Sequence, residues 1–226
     1  MNLYPVNLDI CGRLCLIVGG GEVAARKIGP LVSCGARVNV VSPNAVPVIE
    51  KLADAGKITW HKRKYRRGEM DDAFLVFAAT DNSTVQQEVQ AEAAEKGILI
   101  NSATDPVSCT FQVPARVRRG NFLLTVSTGG GSPALAVKLR KELETEYGKE
   151  YQQLVDLLAY IRKIIVADGQ SSDSHKILFE KLLQLNILTQ IRKEDWPALQ
   201  EELQAVLPKE VDVGNLINSI RFPQKQ

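Results

Sequence analysis

The stretch Leu-Cys-Leu-Ile-Val-Gly-Gly-Gly-Glu-Val-Ala-Ala-Arg-Lys-Ile, residues 14–28, decides the fold of this chain. Its apolar start, Leu14 to Val18, has the length of a buried strand and ends directly in three glycines. Apolar residues then recur with helical spacing at Val23, Ala24 and Ile28. A strand, a glycine turn and a helix in this order are the setting of a dinucleotide-binding site. The stretch therefore predicts a Rossmann-type nucleotide site.

The glycine turn follows the pattern Gly-x-Gly-x-x-Ala. Gly19 makes the tight turn, Gly21 lets the backbone approach a pyrophosphate, and Ala24 permits close packing of helix on strand. The first N–H groups of the helix and its dipole favour a negative charge at this end. The alternative is a purely structural turn between strand and helix. We assign the pyrophosphate of NAD or NADP to Gly19, Gly20, Gly21, Glu22 and Val23.

The composition is that of an ordinary globular protein. The chain has 226 residues, of which 45% are hydrophobic and 24% charged, and its net charge of +2 does not argue for a nucleic-acid partner. No apolar run approaches the ~20 residues that a membrane span needs, and the first one is already a strand, not a signal sequence. The four cysteines lack zinc spacing. We therefore expect free thiols in the cytoplasm, no metal site and no membrane.

Strands and helices alternate up to about residue 113. We predict strands at 14–18, 37–41, 57–60, 74–78 and 98–100. One helix follows the glycine turn and another occupies 46–55. A third ends at about Lys96, with several N-cap candidates at 80–83 and with Gln86 three residues after Ser83, as in a capping box. This alternation predicts a doubly wound parallel sheet that binds ligands at the carboxyl ends of its strands.

The pattern changes beyond residue 113. We predict a strand at 122–127, and a helix from Pro133 to Tyr147 with Ser132 as its N-cap. A long amphipathic helix follows from about 150, then a loop at 167–174 and shorter helices at 176–185, 194–206 and 213–220. We divide the chain into an α/β domain at 1–113, a short segment at 114–149 and a helical domain at 150–226.

The strand ends supply the other candidate cofactor residues. No acidic residue follows the second strand, so the usual carboxylate contact to the ribose 2′-hydroxyl is missing. No arginine stands there for a 2′-phosphate either, so these residues leave NAD and NADP both open. We assign the remainder of the cofactor site to Ser42, Pro43, Asn44, Thr80, Asp81 and Asn101.

A second glycine-rich turn, at 128–133, again leads into a helix. Its start suits an anion such as a substrate carboxylate, although a structural loop with a Ser-Pro helix start is the alternative. Arginines lie near it in the sequence, and the basic run 61–67 either is a solvated face or steers a polyanionic ligand. We assign substrate binding to Arg116, Thr128, Gly129, Gly130, Gly131 and Ser132.

Several segments together resemble the precorrin-2 dehydrogenase family, densely over 4–140 and diffusely beyond. They are Tyr4-Pro5, 18–27, 35–38, 78–81, Phe111 with Pro114-Ala115, and Ser-Thr-Gly-Gly-Gly-Ser-Pro-Ala-Leu-Ala at 127–136. This family includes bifunctional sirohydrochlorin ferrochelatases and part of siroheme synthase. The resemblance implies a Rossmann domain, a dimerisation segment at 114–149, a helical domain and a homodimer. It also implies NAD-dependent oxidation of the tetrapyrrole precorrin-2 to sirohydrochlorin.

The chain departs from the family after the fifth strand. Members carry an aspartate there as the candidate acid/base, whereas this chain has Thr104 followed by Asp105 and Pro106. Neighbours on an extended chain point to opposite sides, and proline favours an extended residue before it. We therefore expect that Asp105 replaces the aspartate only with a backbone shift, and we assign the catalytic role to Asp105 and Thr104. The alternative for Asp105 is a turn residue; Thr128 stands where some relatives have serine.

Three functional hypotheses remain at this stage. The favoured one is precorrin-2 dehydrogenation, with Fe²⁺ insertion as an additional activity that the sequence leaves open. The others are a nucleotide-sensing module without chemistry and a dehydrogenase of another polyanionic substrate. The segment 109–140 argues against a simple sensor, which has no reason to carry it.

Overall fold

The first part of the chain folds around a parallel sheet. The structure, a computed structural model, describes residues 3–167 and 172–222, which form two compact units, 3–113 and 114–222. The five strands of the first unit, β1 to β5, are Leu14–Val18, Arg37–Val41, Thr59–His61, Leu75–Ala78 and Leu99–Ser102. Their order is β3-β2-β1-β4-β5, and every neighbouring pair is parallel. The predicted doubly wound sheet is therefore confirmed.

Helices cover both faces of this sheet, and the three that do so are α1, Glu22–Ser33, α2, Pro47–Asp54, and α3, Ser83–Lys96. Alternate strand residues point to opposite faces, so Cys15 and Ile17 join one buried cluster and Leu16 and Val18 join the other. The first cluster contains residues of α1 and α2, and the second contains residues of α3. In a sheet of this type ligands bind at the carboxyl ends of the strands, where the loops after β1, β2, β4 and β5 begin.

Two strand boundaries differ from the sequence prediction. β3 begins at Thr59, not at Lys57, because the Lys57 N–H donates to the Leu52 carbonyl 2.9 Å away and closes the end of α2. β5 continues beyond Ile100 to Ser102, since its last residues pair with the end of β4. The longer β5 carries the chain further toward the edge where ligands bind.

The predicted capping box at the start of α3 is wrong. Asn82 is the N-cap, and its side chain accepts the Val85 N–H at 3.1 Å. The Gln86 amide instead turns away from the helix start and donates to the hydroxyl groups of Ser102 and Thr104. α3 is thereby attached to the segment that follows β5.

A buried carboxylate ties α3 to the long connection between β3 and β4. Glu92 is 1% exposed, and it accepts hydrogen bonds from the Tyr65 hydroxyl at 2.7 Å and from the Gly68 N–H at 2.8 Å. Lys96 lies one turn further on, with its Nζ 3.6 Å from Glu92 Oε1. Burial, reinforced by Glu92, raises the pKa of the Tyr65 phenol, so Tyr65 stays a donor at neutral pH.

We expect Glu92→Ala to destabilise the protein by about 2–4 kcal/mol, because it leaves the buried Tyr65 hydroxyl and the part-buried Gly68 N–H without an acceptor. Glu95→Ala is the matched control on the same helix, since the Glu95–Arg67 ion pair is exposed on both sides. Such pairs contribute roughly 0–1 kcal/mol. Urea unfolding of both variants measures the difference, and equal losses contradict the assigned role of Glu92.

The second unit begins with an antiparallel hairpin of β6, Ala115–Arg119, and β7, Phe122–Val126. β7 agrees with the predicted strand at 122–127 to within one residue, whereas β6 was not predicted. The signal for β6 is the two-residue connection Gly120-Asn121, a typical hairpin turn. Gly120 has φ +56, a backbone conformation that glycine adopts at little cost.

One helix, α4 at Pro133–Glu146, follows the hairpin. The predicted N-cap is confirmed, because the Ser132 hydroxyl accepts the Leu135 N–H at 3.3 Å. Beyond the helix, Tyr147 and Tyr151 stack on Phe122 of β7. No residue of α4 is buried, although the structure describes all of it.

The rest of the second unit is helical. Helices α5 to α9 are Glu150–Ala167, Ser172–Gln184, Ile187–Lys193, Trp196–Val206 and Val213–Arg221. The sequence analysis missed α7, which ends at Glu194 in a left-handed conformation before Asp195 caps α8. Of the predicted loop, 168–171 lie outside the described residues, whereas its two ends belong to α5 and α6. No described helix has both the length and the apolar character for crossing a membrane.

Candidate functional site

The glycine turn between β1 and α1 packs tightly against two neighbouring loops. Gly19 has φ +126, and a Cβ there would lie 2.1 Å from the Ala79 carbonyl oxygen. A Cβ on Gly20 would lie 2.0 Å from the Asn44 carbonyl oxygen. The Gly20 carbonyl also accepts the Val46 N–H at 2.8 Å. Both glycines are therefore required for the loops after β1, β2 and β4 to meet at one edge.

Gly21 differs from the other two glycines because it faces open space. It is exposed, has φ −85, and a Cβ there would meet nothing within 4 Å. Gly21 is the N-cap of α1, and no side chain of the described residues caps the helix. The N–H groups of Glu22 and Val23 thus begin a helix whose end is open to an anion. This geometry fits the pyrophosphate of a dinucleotide, and Ala24, 0% exposed, packs beneath it.

The residues after β2 are fixed by the neighbouring strand. The Ser42 N–H donates to the His61 carbonyl at 3.2 Å, and the Ser42 carbonyl accepts Trp60 Nε1–H at 3.0 Å. Ser42 is largely buried, whereas Pro43 and Asn44 are exposed. The structure therefore brings these three predicted cofactor residues to the same edge as the glycine turn.

The residues after β4 and β5 have different environments. Thr80 is half-buried and its hydroxyl accepts the Asn82 N–H at 3.2 Å, while Asp81 is exposed. Asn101 is buried, and its amide donates to the Phe111 carbonyl at 3.2 Å. Thr80 and Asp81 lie beside the glycine turn. The Asn101 amide instead holds the segment around Phe111 against the end of β5. A cofactor contact for all three stays a prediction.

Thr104 and Asp105 both contact α3, so they do not point to opposite sides as neighbours on an extended chain would. Gln86 donates to Thr104 Oγ1, and Gln90 Nε2 donates to Asp105 Oδ2 at 3.3 Å. The chain bends at 103–104 instead of continuing extended, which removes the alternation of an extended segment. Asp105 Oδ1 also accepts the Val107 N–H at 3.0 Å, as in an Asx turn.

These contacts surround a small polar cleft at the carboxyl ends of β4 and β5. Its volume is about 190 Å³, and Asp105 is its one charged lining residue in the described structure. Two glutamines of this cleft, Gln86 and Gln90, were not among the predicted site residues. Their signal in the sequence is the i, i+4 spacing that places them on one helix face. The lining residues are Ser83, Gln86, Gln87, Gln90, Thr104 and Asp105.

The second glycine turn satisfies most of its own backbone groups. The Thr128 hydroxyl accepts the Ser132 N–H at 3.1 Å, and the Thr128 carbonyl accepts the Gly131 N–H at 2.9 Å. Gly129 and Gly130 have φ +60 and +86, which explains the glycines without a ligand. Because Ser132 caps α4, this helix start is less open to an anion than that of α1. Its substrate role, like that of the half-buried Arg116 on β6, stays a prediction.

Metal-ligating side chains are dispersed. Among the described residues, no three or more His, Cys, Asp or Glu side chains are grouped so that they could hold a metal ion. The cysteines, all within the described part, are free. Burial, with a smaller contribution from Cys34, raises the pKa of the Cys15 thiol to about 11 and keeps it protonated at neutral pH.

The comparisons with known proteins agree with this geometry. Residues 6–115 match a protein-family model described as "Putative NAD(P)-binding". The matched range contains the whole parallel sheet and the open helix start at Gly21. The first unit is thus a Rossmann-type NAD(P)-binding domain.

Relatives match well beyond this domain. The siroheme synthase of Nitrosococcus oceani is 36% identical over 95% of this chain and 45% of its own length. That of Methylobacillus flagellatus is 35% identical over 92% of this chain and 44% of its own length. The chain thus spans less than half of these relatives. The solved structure of SirC, a precorrin-2 dehydrogenase, superimposes with a TM-score of 0.75 at 26% identity, covering 90% of this chain and 98% of SirC. Over nearly its whole length the chain is therefore similar to siroheme synthases and to a precorrin-2 dehydrogenase.

Proposed function

We propose that this chain is an NAD-dependent dehydrogenase that oxidises precorrin-2 to sirohydrochlorin in siroheme biosynthesis. The observation that carries the proposal is the open, uncapped helix start at Gly21 in a chain that matches nearly the full length of SirC. The matched siroheme synthases are more than twice as long, so the proposal covers this one step. Fe²⁺ insertion stays a prediction from the family resemblance.

The residues proposed to bind the cofactor lie at the carboxyl ends of the parallel strands. The first N–H groups of α1 hold the pyrophosphate, and the residues at 42–44, 80–81 and 101 approach the two nucleoside ends. No carboxylate follows β2 to select the 2′-hydroxyl, so the choice of NAD rests on the family. When bound, the nicotinamide supplies the acceptor for the hydride that leaves precorrin-2.

The oxidation also releases a proton, which needs a base. Asp105 is the carboxylate in the cleft at the ends of β4 and β5, and it is half-buried. Its oxygens have acceptor sites beyond the two hydrogen bonds from Val107 and Gln90. In the proposed mechanism Asp105 accepts the proton of precorrin-2, and Thr104 lines the same cleft as a neutral neighbour.

The carboxylates of precorrin-2 need cationic or N–H partners. Arg116 has no described hydrogen bond or ion pair, and it lies opposite Thr125 in the hairpin register. We assign substrate carboxylates to Arg116 and to the turn at 128–132, in which Gly130 keeps an N–H without a described acceptor.

A binding screen separates this proposal from its alternatives. Purified protein is titrated with NAD, with NADP and with a carboxylate-bearing tetrapyrrole, each by calorimetry. We expect binding of NAD and of the tetrapyrrole. Binding of a nucleotide alone favours a sensor, whereas binding of another polyanion but no tetrapyrrole favours a different dehydrogenase.

We further propose that the protein is a homodimer joined through 114–149. None of the residues of α4 is buried, and Leu135 and Val137 are 45% and 47% exposed. The adjoining sheet has only two strands, which alone is marginally stable. A second copy of the chain would cover both features across a two-fold axis.

The dimer prediction is tested by light scattering at micromolar concentration. We expect a dimer mass for the native chain and a monomer mass for Leu135→Glu, because a charge on each copy opposes burial of the α4 surface. Val48→Glu is the control, since Val48 is an exposed apolar residue of the first unit. It leaves the dimer intact. A monomer mass for the native chain refutes this proposal.

We also infer a cytoplasmic location. The four cysteines are free, and Cys11 is exposed. An exposed thiol persists in a reducing compartment and is oxidised in a secretory one.

A further inference from the structure

We propose that Gln86 and Gln90 form a clamp on α3 that aims Thr104 and Asp105 into one cleft, with Gln90 as the positioning residue for the Asp105 carboxylate. This inference rests on the proposed function, because it assigns a partner to the proposed base. It explains how Asp105 and Thr104, although adjacent in sequence, both line one cleft.

The two glutamines are one helical turn apart and bind consecutive loop residues. Gln86 is 7% exposed, and its amide donates to Ser102 Oγ and Thr104 Oγ1. Gln90 Nε2 donates to Asp105 Oδ2 at 3.3 Å. Since i and i+4 residues share a helix face, the clamp requires Thr104 and Asp105 to face α3 together.

The clamp is also attached to the sheet. Ser102, the last residue of β5, accepts the Asp105 N–H on its hydroxyl at 3.1 Å while it binds Gln86. Asp105 is thus fixed at its backbone through Ser102 and at its carboxylate through Gln90. A buried NH₂ group with two acceptors costs little desolvation, whereas a buried Gln86 without these partners would destabilise α3.

Gln90 is suited to its position because it is a neutral donor. A neutral amide holds the Asp105 carboxylate in place without adding a second charge to the cleft. The other residues of α3 that line the cleft are uncharged; they are Ser83, Gln86 and Gln87. The one titratable neighbour on the loop is Cys109, whose thiol donates to the Asp105 main-chain carbonyl at 3.4 Å.

The test compares Gln90→Glu and Gln90→Leu with the control Gln87→Glu. Gln87 lines the same cleft but has no described hydrogen bond to Asp105. We expect Gln90→Glu to move the acid limb of the kcat profile up by roughly one pH unit, because a second carboxylate then faces Asp105. We expect Gln90→Leu to lower kcat roughly 10-fold with KM nearly unchanged, since it removes a charge-assisted bond. Gln87→Glu shifts the profile much less.

Asp105→Asn is measured alongside, with NAD titration and thermal melts as readouts that do not depend on activity. If Asp105→Asn lowers kcat while the Gln90 variants keep the native profile and rate, the clamp is overturned and the base assignment stands. If Asp105→Asn leaves kcat per folded molecule intact, the base assignment itself fails. A shift in Gln90→Glu equal to that in Gln87→Glu also contradicts a specific role for Gln90.

Discussion

Asp105→Asn is expected to lower turnover with precorrin-2 by ~10²–10⁴-fold, the range for a positioned proton-transfer group. NAD affinity should barely change, because Asp105 lies in the cleft beside α3 and not at the helix start of α1. Asparagine can keep the turn hydrogen bond to the Val107 N–H, since its amide oxygen also forms Asx turns. The substitution thus removes the charge and preserves the local fold.

Steady-state rates normalised to folded protein decide between the two roles of Asp105. Thr104→Ala is the companion variant, and we expect a mild effect because Thr104 contributes a neutral hydroxyl to the cleft. If Asp105→Asn lowers stability but leaves the rate per folded molecule nearly native, Asp105 is a turn residue and not the base.

Gly21→Asp is expected to raise the Kd for NAD by roughly 1000-fold. A carboxylate about 4 Å from the pyrophosphate costs about 4 kcal/mol at an effective dielectric of 20, and each 1.4 kcal/mol is tenfold in Kd. The free protein should fold normally, because Gly21 has an ordinary φ and aspartate is a favoured N-cap. Loss of binding with a native or slightly higher melting temperature is the specific signature of this site.

Gly29→Asp is the matched control, since it adds the same side chain to α1 at an exposed position with open space around it. We expect its NAD affinity to be close to native. Calorimetric titration measures both variants. An unchanged NAD affinity in Gly21→Asp would contradict the assignment of the pyrophosphate to the start of α1.

The first unit could be predicted closely because its signals are local. The β1 run, the glycine turn and the apolar face of α1 each follow from neighbouring residues, and right-handed connections restrict how the strands can be arranged. The pattern alone does not explain why both Gly19 and Gly20 must be glycine. The structure explains it, because the carbonyl oxygens of Ala79 and Asn44 leave no room for a Cβ at these positions.

The environment of Asp105 could not be predicted in the same way. Its orientation depends on Gln86 and Gln90, whose amides are separated from it by more than ten residues of chain. The capping-box rule assigned Gln86 to the helix start because it considers only local partners. In the structure, the Gln86 amide instead binds Ser102 and Thr104, which are distant in sequence. Similarly, α7 was missed because its seven residues lie between stronger patterns.

The central claim is tested most directly by one anaerobic reaction of the purified native chain with precorrin-2 and NAD. Formation of NADH and of sirohydrochlorin is followed in the same sample. We predict one NADH for each sirohydrochlorin, with catalytic turnover and with no product when NAD is omitted. Sirohydrochlorin forming at the same rate without NAD, or NAD binding without any NADH, would contradict the assignment as an NAD-dependent precorrin-2 dehydrogenase.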